Sequence, residues 1–204
     1  MTTPIFIDSC AWNYLFVHHI DLAVELPREE FALAVTSEVK IEIESIPDGK
    51  DKCPLKIYIA NSFAANKVQI TYVFGFATHE PDGSLSKIQT NGGFGQGTFQ
   101  SKKDRAWYAS EAVKQLLIKN KKKKSGLGPN QADASMAIRS LDPNSIVLTN
   151  ENKTQINKQS GLLQMTAKQG GRIVFLRDEV EPSGLSLGDY LRTMLRRFPT
   201  GTIN

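Results

Sequence analysis

The sequence predicts an α/β fold: a central, mostly parallel sheet in the middle of three layers, with helices on both faces. Three observations predict it. Short runs that are apolar throughout recur at residues 5–7, 31–35, 146–148 and 173–176, as expected of strands covered on both sides. Segments with helical spacing of apolar residues stand between them. Acids or hydroxyl residues follow several of the runs, where a strand hands over to a helix cap.

Taken in order, Ile5-Phe6-Ile7 after Pro4 reads as the first strand and ends at Asp8-Ser9. Residues 11–17 read as a helix with Asp8 or Ser9 near its N-cap. Residues 31–35 form a second strand, and Thr36 or Ser37 caps a helix through Val39, Ile43 and Ile46, closed by Pro47. A helix over 56–66 and a strand over 68–76 follow. Residues 75–103 change texture: GFATHEPDGSLSKIQTNGGFGQGTFQS is rich in Gly, Thr and Ser and carries a Pro-Asp-Gly turn signal. This stretch reads as an inserted hairpin and loop. Gly93, Gly95 and Gly97 do not make a phosphate-binding G-x-G-x-x-G after a strand. Residues 104–118 read as one helix, with Ala106, Ala109, Val113, Leu116 and Leu117 on a shared face. It runs into a lysine tract, Lys119, Lys121, Lys122, Lys123 and Lys124, and stops at the Gly and Pro residues of 126–129. A helix beginning near Asp133, strands at 145–148 and 173–176, and a last amphipathic helix complete the reading. Ser186 and Asp189 form the S-x-x-D box of that helix.

The chain of 204 residues suits one domain over 1–204, with the insertion at about 75–103. A net charge of +4 mildly favours a polyanionic partner. Cys10 and Cys53 make no framework and no C-x-x-C. One disulfide stays open, and the usage points to a cytoplasmic protein. The N-terminus has no basic and apolar leader pattern, and no run is long enough to span a membrane. His18, His19 and His79 lack metal-ligand spacing.

Four acids occupy comparable places. Asp8 follows the first strand, Glu42 lies on the helix after the second, Asp133 opens a helix, and Glu151 comes just past a strand. In an open α/β sheet, sites form beyond the carboxyl ends of the strands. Four carboxylates gathered there would repel and raise one another's pKa, and a hard divalent cation relieves this. Each acid also has a plainer reading: Asp8 as N-cap, Asp133 as a first-turn acid favoured by the helix dipole, Glu42 exposed beside Glu44, and Glu151 as a loop acid. Glu38, one turn before Glu42, competes for its role.

The quoted stretches resemble the PIN domain family of metal-dependent nucleases. IFIDSCAWNYLF resembles that family's opening strand and Asp-Ser/Thr step, and SEVKIEIESI its V-x-x-E-[IL] motif. ADASMAIRSL resembles the third motif, and IVLTNEN the Thr-Asn-Asp that follows a later strand. GRIVFLRDEVEPSGLSLGDYLRTML resembles the closing strand and helix. The resemblance implies a PIN-like three-layer α/β/α fold and assigns Asp8, Glu42, Asp133 and Glu151 as catalytic metal ligands for Mg2+ or Mn2+. It assigns Ser9, Thr149 and Asn150 as supporting groups. Glu151 stands where Asp is commoner, and the insertion is the chief departure. The implied activity is endonucleolytic hydrolysis of phosphodiesters, with 5′-phosphate and 3′-hydroxyl products. Single-stranded RNA is expected before DNA.

Lys119, Lys121, Lys122, Lys123 and Lys124 read either as a nucleic-acid backbone contact or as a solvated helix end. Small stand-alone relatives resemble the toxin of a toxin–antitoxin pair, which implies a homodimer and an antitoxin partner, although this chain is longer than most. Two rivals remain: a PIN-like module that binds nucleic acid or protein without cutting it, and a phosphohydrolase of small esters.

Overall fold

The computed structural model describes residues 2–74, 97–99, 102–117, 125–128, 130–153 and 161–197. Its strands are β1 (Thr3–Ile7), β2 (Phe31–Thr36), β3 (Gln69–Phe74), β4 (Gly97–Phe99), β5 (Ile146–Thr149) and β6 (Ile173–Phe175). They form one sheet in the order β4-β3-β2-β1-β5-β6. Every neighbouring pair is parallel. The architecture is therefore α/β with an all-parallel sheet, in keeping with three layers. Strands β2, β5 and β6 are buried over nearly their whole length and β1 over Ile5, Phe6 and Ile7, which is why they read as continuous apolar runs.

The helices are α1 (Ser9–Val17), α2 (Leu22–Glu25), α3 (Ser37–Glu44), α4 (Cys53–Asn66), α5 (Lys102–Ala109), α6 (Glu111–Leu117), α7 (Gln131–Ser140), α8 (Leu162–Lys168), α9 (Glu181–Ser183) and α10 (Leu187–Arg197). Trp12, Tyr14 and Leu15 of α1 are buried, each such side chain contributing roughly 1.5–3 kcal/mol by leaving water. Trp12 lies against Tyr58 and Phe63 of α4, so the aromatic residues of α1 belong to the core. Helix α7 packs on α3, α8, β2 and β5. A turn of π-helix, Leu176–Val180, follows β6 directly.

Several sequence expectations need correcting. Strand β4, within the insertion, runs parallel to β3, and the hairpin expected in the insertion falls largely outside the described residues. Residues 75–96 lie outside the described residues. So does the whole lysine tract, Lys119, Lys121, Lys122, Lys123 and Lys124, and its expected contact with nucleic acid stays a reading of the sequence. The helix expected over 104–118 is two helices, broken at Ser110. The Ser110 hydroxyl donates to the Trp107 carbonyl at 2.7 Å, and its own carbonyl accepts from Lys114 N–H at 3.1 Å. A serine competing for backbone bonds in this way ends one helix and starts the next. The break also turns the face: Trp107 goes inward while Ala106 and Ala109 are exposed. Helices α2, α8 and α9 and the π-turn carry too little periodicity to be read in advance. Both cysteines are free, so the disulfide left open does not form. Among the described residues no helix is long and apolar enough to cross a membrane.

Candidate metal centre at the carboxyl edge of the sheet

The strand order reverses direction at β1. From β1 the chain builds outward through β2 and β3, then returns to place β5 and β6 on the other side. The carboxyl ends of β1 and β5 flank this switch point, where an open α/β sheet leaves a crevice. Register fixes their relation: Ile7 pairs with Leu148, and Asp8 N–H donates to the Leu148 carbonyl at 3.0 Å.

Asp8 is 3% exposed and caps α1, where its Oδ1 accepts from Ser9 N–H at 2.7 Å. Its Oδ2 accepts from the Thr149 hydroxyl at 2.9 Å and the Cys10 thiol at 3.0 Å. The plain and the functional readings of Asp8 thus coincide: it is both an N-cap and the best-held acid of the edge. Burial pushes its carboxyl pKa up. The bonds from Cys10, Thr149 and Ser9 pull it back, and the charge of Glu42 pushes it up again.

Glu42 is half-buried on α3, and its Oε2 accepts from the Ser9 hydroxyl at 2.6 Å. Ser9 thereby joins the end of β1 to α3. Glu38, buried one turn earlier, takes the hydroxyl of Ser37 at 2.9 Å. The Ser9 hydroxyl of α1 donates to Glu42.

Asp133 lies in the first turn of α7 and is half-buried. Two residues on, the Ser135 hydroxyl meets that of Thr36 at 2.8 Å, and Thr36 caps α3. Ser135, midway along α7, therefore sits beside the carboxyl end of β2. Glu151 follows β5 with its N–H on Thr149 Oγ1 at 3.2 Å, and its Oε2 accepts from Gln164 Nε2 of α8 at 3.0 Å.

The fold links Asp8 to Glu42 through Ser9 and to the Glu151 loop through Thr149, and it packs α7, which carries Asp133, against α3 and β2. It does not close a coordination sphere: among the described residues no group of three or more His, Cys, Asp or Glu side chains is placed to hold a metal ion. In kind, the donor set suits a hard divalent cation, because it consists of carboxylate oxygens. Cys10 adds no thiolate, since burial and then the charge of Asp8 push its thiol pKa well above the usual range. Cys10 instead donates to Asp8 and accepts from Asn150 N–H at 3.2 Å.

Of the supporting groups expected, Ser9 and Thr149 each donate to an acid. Asn150 contributes its backbone N–H, and its side-chain Oδ1 is buried without a hydrogen-bond partner among the described residues. Sequence reasoning missed Cys10 and Gln164. Cys10 had a signal, standing two residues after Asp8 at a helix start. Gln164 had none, because α8 itself was not foreseen. Arg192 of the last helix pairs with Glu30 and Asp189. The chain matches no protein-family model, no curated protein and no solved structure.

Proposed function

We propose that the chain is a PIN-like, Mg2+- or Mn2+-dependent endonuclease acting on single-stranded RNA. One observation carries the proposal. At the topological switch point a buried carboxylate, Asp8, is tied by Thr149 to the loop of Glu151, while Ser9 links its helix to Glu42. Burial pushes the Asp8 carboxyl pKa up and the Glu42 charge adds to the push, a pattern that clusters at functional sites.

Asp8, Glu42, Asp133 and Glu151 would hold the ion, which supplies Lewis acidity and charge neutralisation toward a phosphodiester. The chain's own part is positioning. The Thr149 hydroxyl and Cys10 thiol orient Asp8, and Ser9 orients Glu42. Such outer contacts set the direction of the carboxylate lone pairs. RNA as substrate, backbone contact by Lys119 and Lys121 to Lys124, cytoplasmic location, homodimerisation and an antitoxin partner belong to the same proposal and rest on the sequence.

A second reading is a PIN-like module that binds nucleic acid or protein without cutting, favoured by Glu151 standing where Asp is commoner and by the insertion at about 75–103. One experiment separates the two, with labelled single-stranded RNA and a free phosphomonoester offered side by side. The nuclease reading predicts RNA cleavage with Mn2+ or Mg2+, arrest by EDTA, and a folded, inactive Asp133→Asn. RNA left intact under every metal supports the binding module. Turnover of the monoester alone supports the small-ester hydrolase.

A further inference from the structure

Gln164 stands at the third position of α8 and is 2% exposed. Its Nε2 gives both hydrogens away, to Glu151 Oε2 at 3.0 Å and to the Asn152 carbonyl at 2.9 Å. Both partners are pure acceptors, so the amide has one orientation; turned over, its oxygen would face a carboxylate and a carbonyl. In that orientation Oε1 is buried without a hydrogen-bond partner among the described residues. It lies against Gly161, the N-cap residue of α8. A Cβ at position 161 would stand 2.5 Å from Gln164 Oε1 and 3.9 Å from Glu151 Oε2. The glycine is what lets the amide reach the acid.

Leaving an acceptor unmet in the interior is unfavourable, and a leucine of similar size would avoid it. What the glutamine adds is its hold on Glu151. The same loop is pinned from its other side by the π-turn: Lys153 N–H donates to Asp178 Oδ2 at 2.5 Å, and the Lys153 ammonium donates to Glu179 Oε1 at 2.5 Å. π-helical turns often sit at functional sites.

We propose that Gln164 is a positioning residue, with Gly161 as its clearance: it fixes the Glu151 carboxylate at the sheet edge. The role of Glu151 as a metal ligand rests on the nuclease reading above, whereas the contact itself does not.

The test is a double-mutant cycle of Gln164→Leu and Glu151→Gln on the full chain. Mn2+ titration calorimetry is expected to show Gln164→Leu weakening the ion about tenfold, as outer-shell changes do, with little further loss in the Glu151→Gln background. Gly161→Ala is expected to act in the same direction with every polar group intact. In metal-free protein, the side-chain amide protons of Gln164 are expected to move on Glu151→Gln and on Gly161→Ala. Amide signals indifferent to both changes overturn the proposal. Wild-type Mn2+ affinity in Gln164→Leu overturns the positioning role and leaves the metal reading standing. Amide shifts in a wild type that takes no Mn2+ keep the hold on Glu151 and remove the metal reading.

Discussion

Asp8 and Glu151 follow neighbouring strands and belong to the same proposed centre, yet the fold treats them differently. Asp8 is buried, receives bonds from Ser9, Cys10 and Thr149, and caps a helix whose aromatic face enters the core. Glu151 is half-buried in a loop and takes the amide of a residue from a helix further along the chain. The difference teaches that one acid is placed by the backbone's own needs and the other by a separate brace. Stability and activity should therefore divide unequally between them.

The largest expected effect is on activity, where the two acids should behave alike. Asp8→Ala and Glu151→Gln are each expected to lower RNA cleavage by roughly a hundredfold or more, the scale of lost transition-state stabilisers. Stability should separate them. Loss of an N-cap costs about 0.5–2 kcal/mol, so Asp8→Ala should shift the urea midpoint. Glu151→Gln should cost less than Asp8→Ala, because a glutamine carbonyl can still accept from Gln164 Nε2. Equal stability losses would erase the contrast.

Thr149→Val sharpens it from the middle. Thr149 is 0% exposed and donates to Asp8, so its removal leaves a buried carboxylate short of a donor, at about 1–3 kcal/mol. The same substitution withdraws the hydroxyl that accepts from Glu151 N–H, so loop and acid should both suffer. Denaturation and Mn2+ titration of one variant check both.

A smaller effect concerns pH. Burial raises the Asp8 pKa above its ordinary 3.8, so the folded state disfavours the charged form. The folded chain then holds its proton to higher pH than the unfolded chain. This contribution is full below about pH 3.8 and is lost as pH rises through the folded pKa. In EDTA, wild-type stability should decline over that window, Asp8→Asn should lack the decline, and Mn2+ should reverse it only in wild type. Melting curves across the window are the check.

The legible parts of the molecule were those where local signals agreed. An apolar strand, a capping acid and an aromatic-rich helix point one way at residues 3–17, and α1 follows Asp8 as expected. Thr36 capping α3 was legible for the same reason. What escaped depends on a competing local bond or on partners distant in sequence. The bend at Ser110 arises from a hydroxyl that satisfies a carbonyl within its own helix, and amphipathic periodicity runs straight through it. The parallel pairing of β4 with β3 is a tertiary choice that a turn signal cannot reveal. At the site, Asp8 and Glu42 were legible as strand-end and helix acids, but the Ser9 bridge between them spans 33 positions. Gln164 was invisible because its importance lies in the carboxylate it meets, not in its own segment.

The most direct test of the central claim is Mn2+ titration calorimetry of the wild type beside Asp8→Asn, Glu42→Gln, Asp133→Asn and Glu151→Gln. Convergence of the four acids predicts that wild type binds the ion and that each variant weakens it at least about tenfold. A wild type that takes no Mn2+, or four variants that bind it as wild type does, would contradict the account.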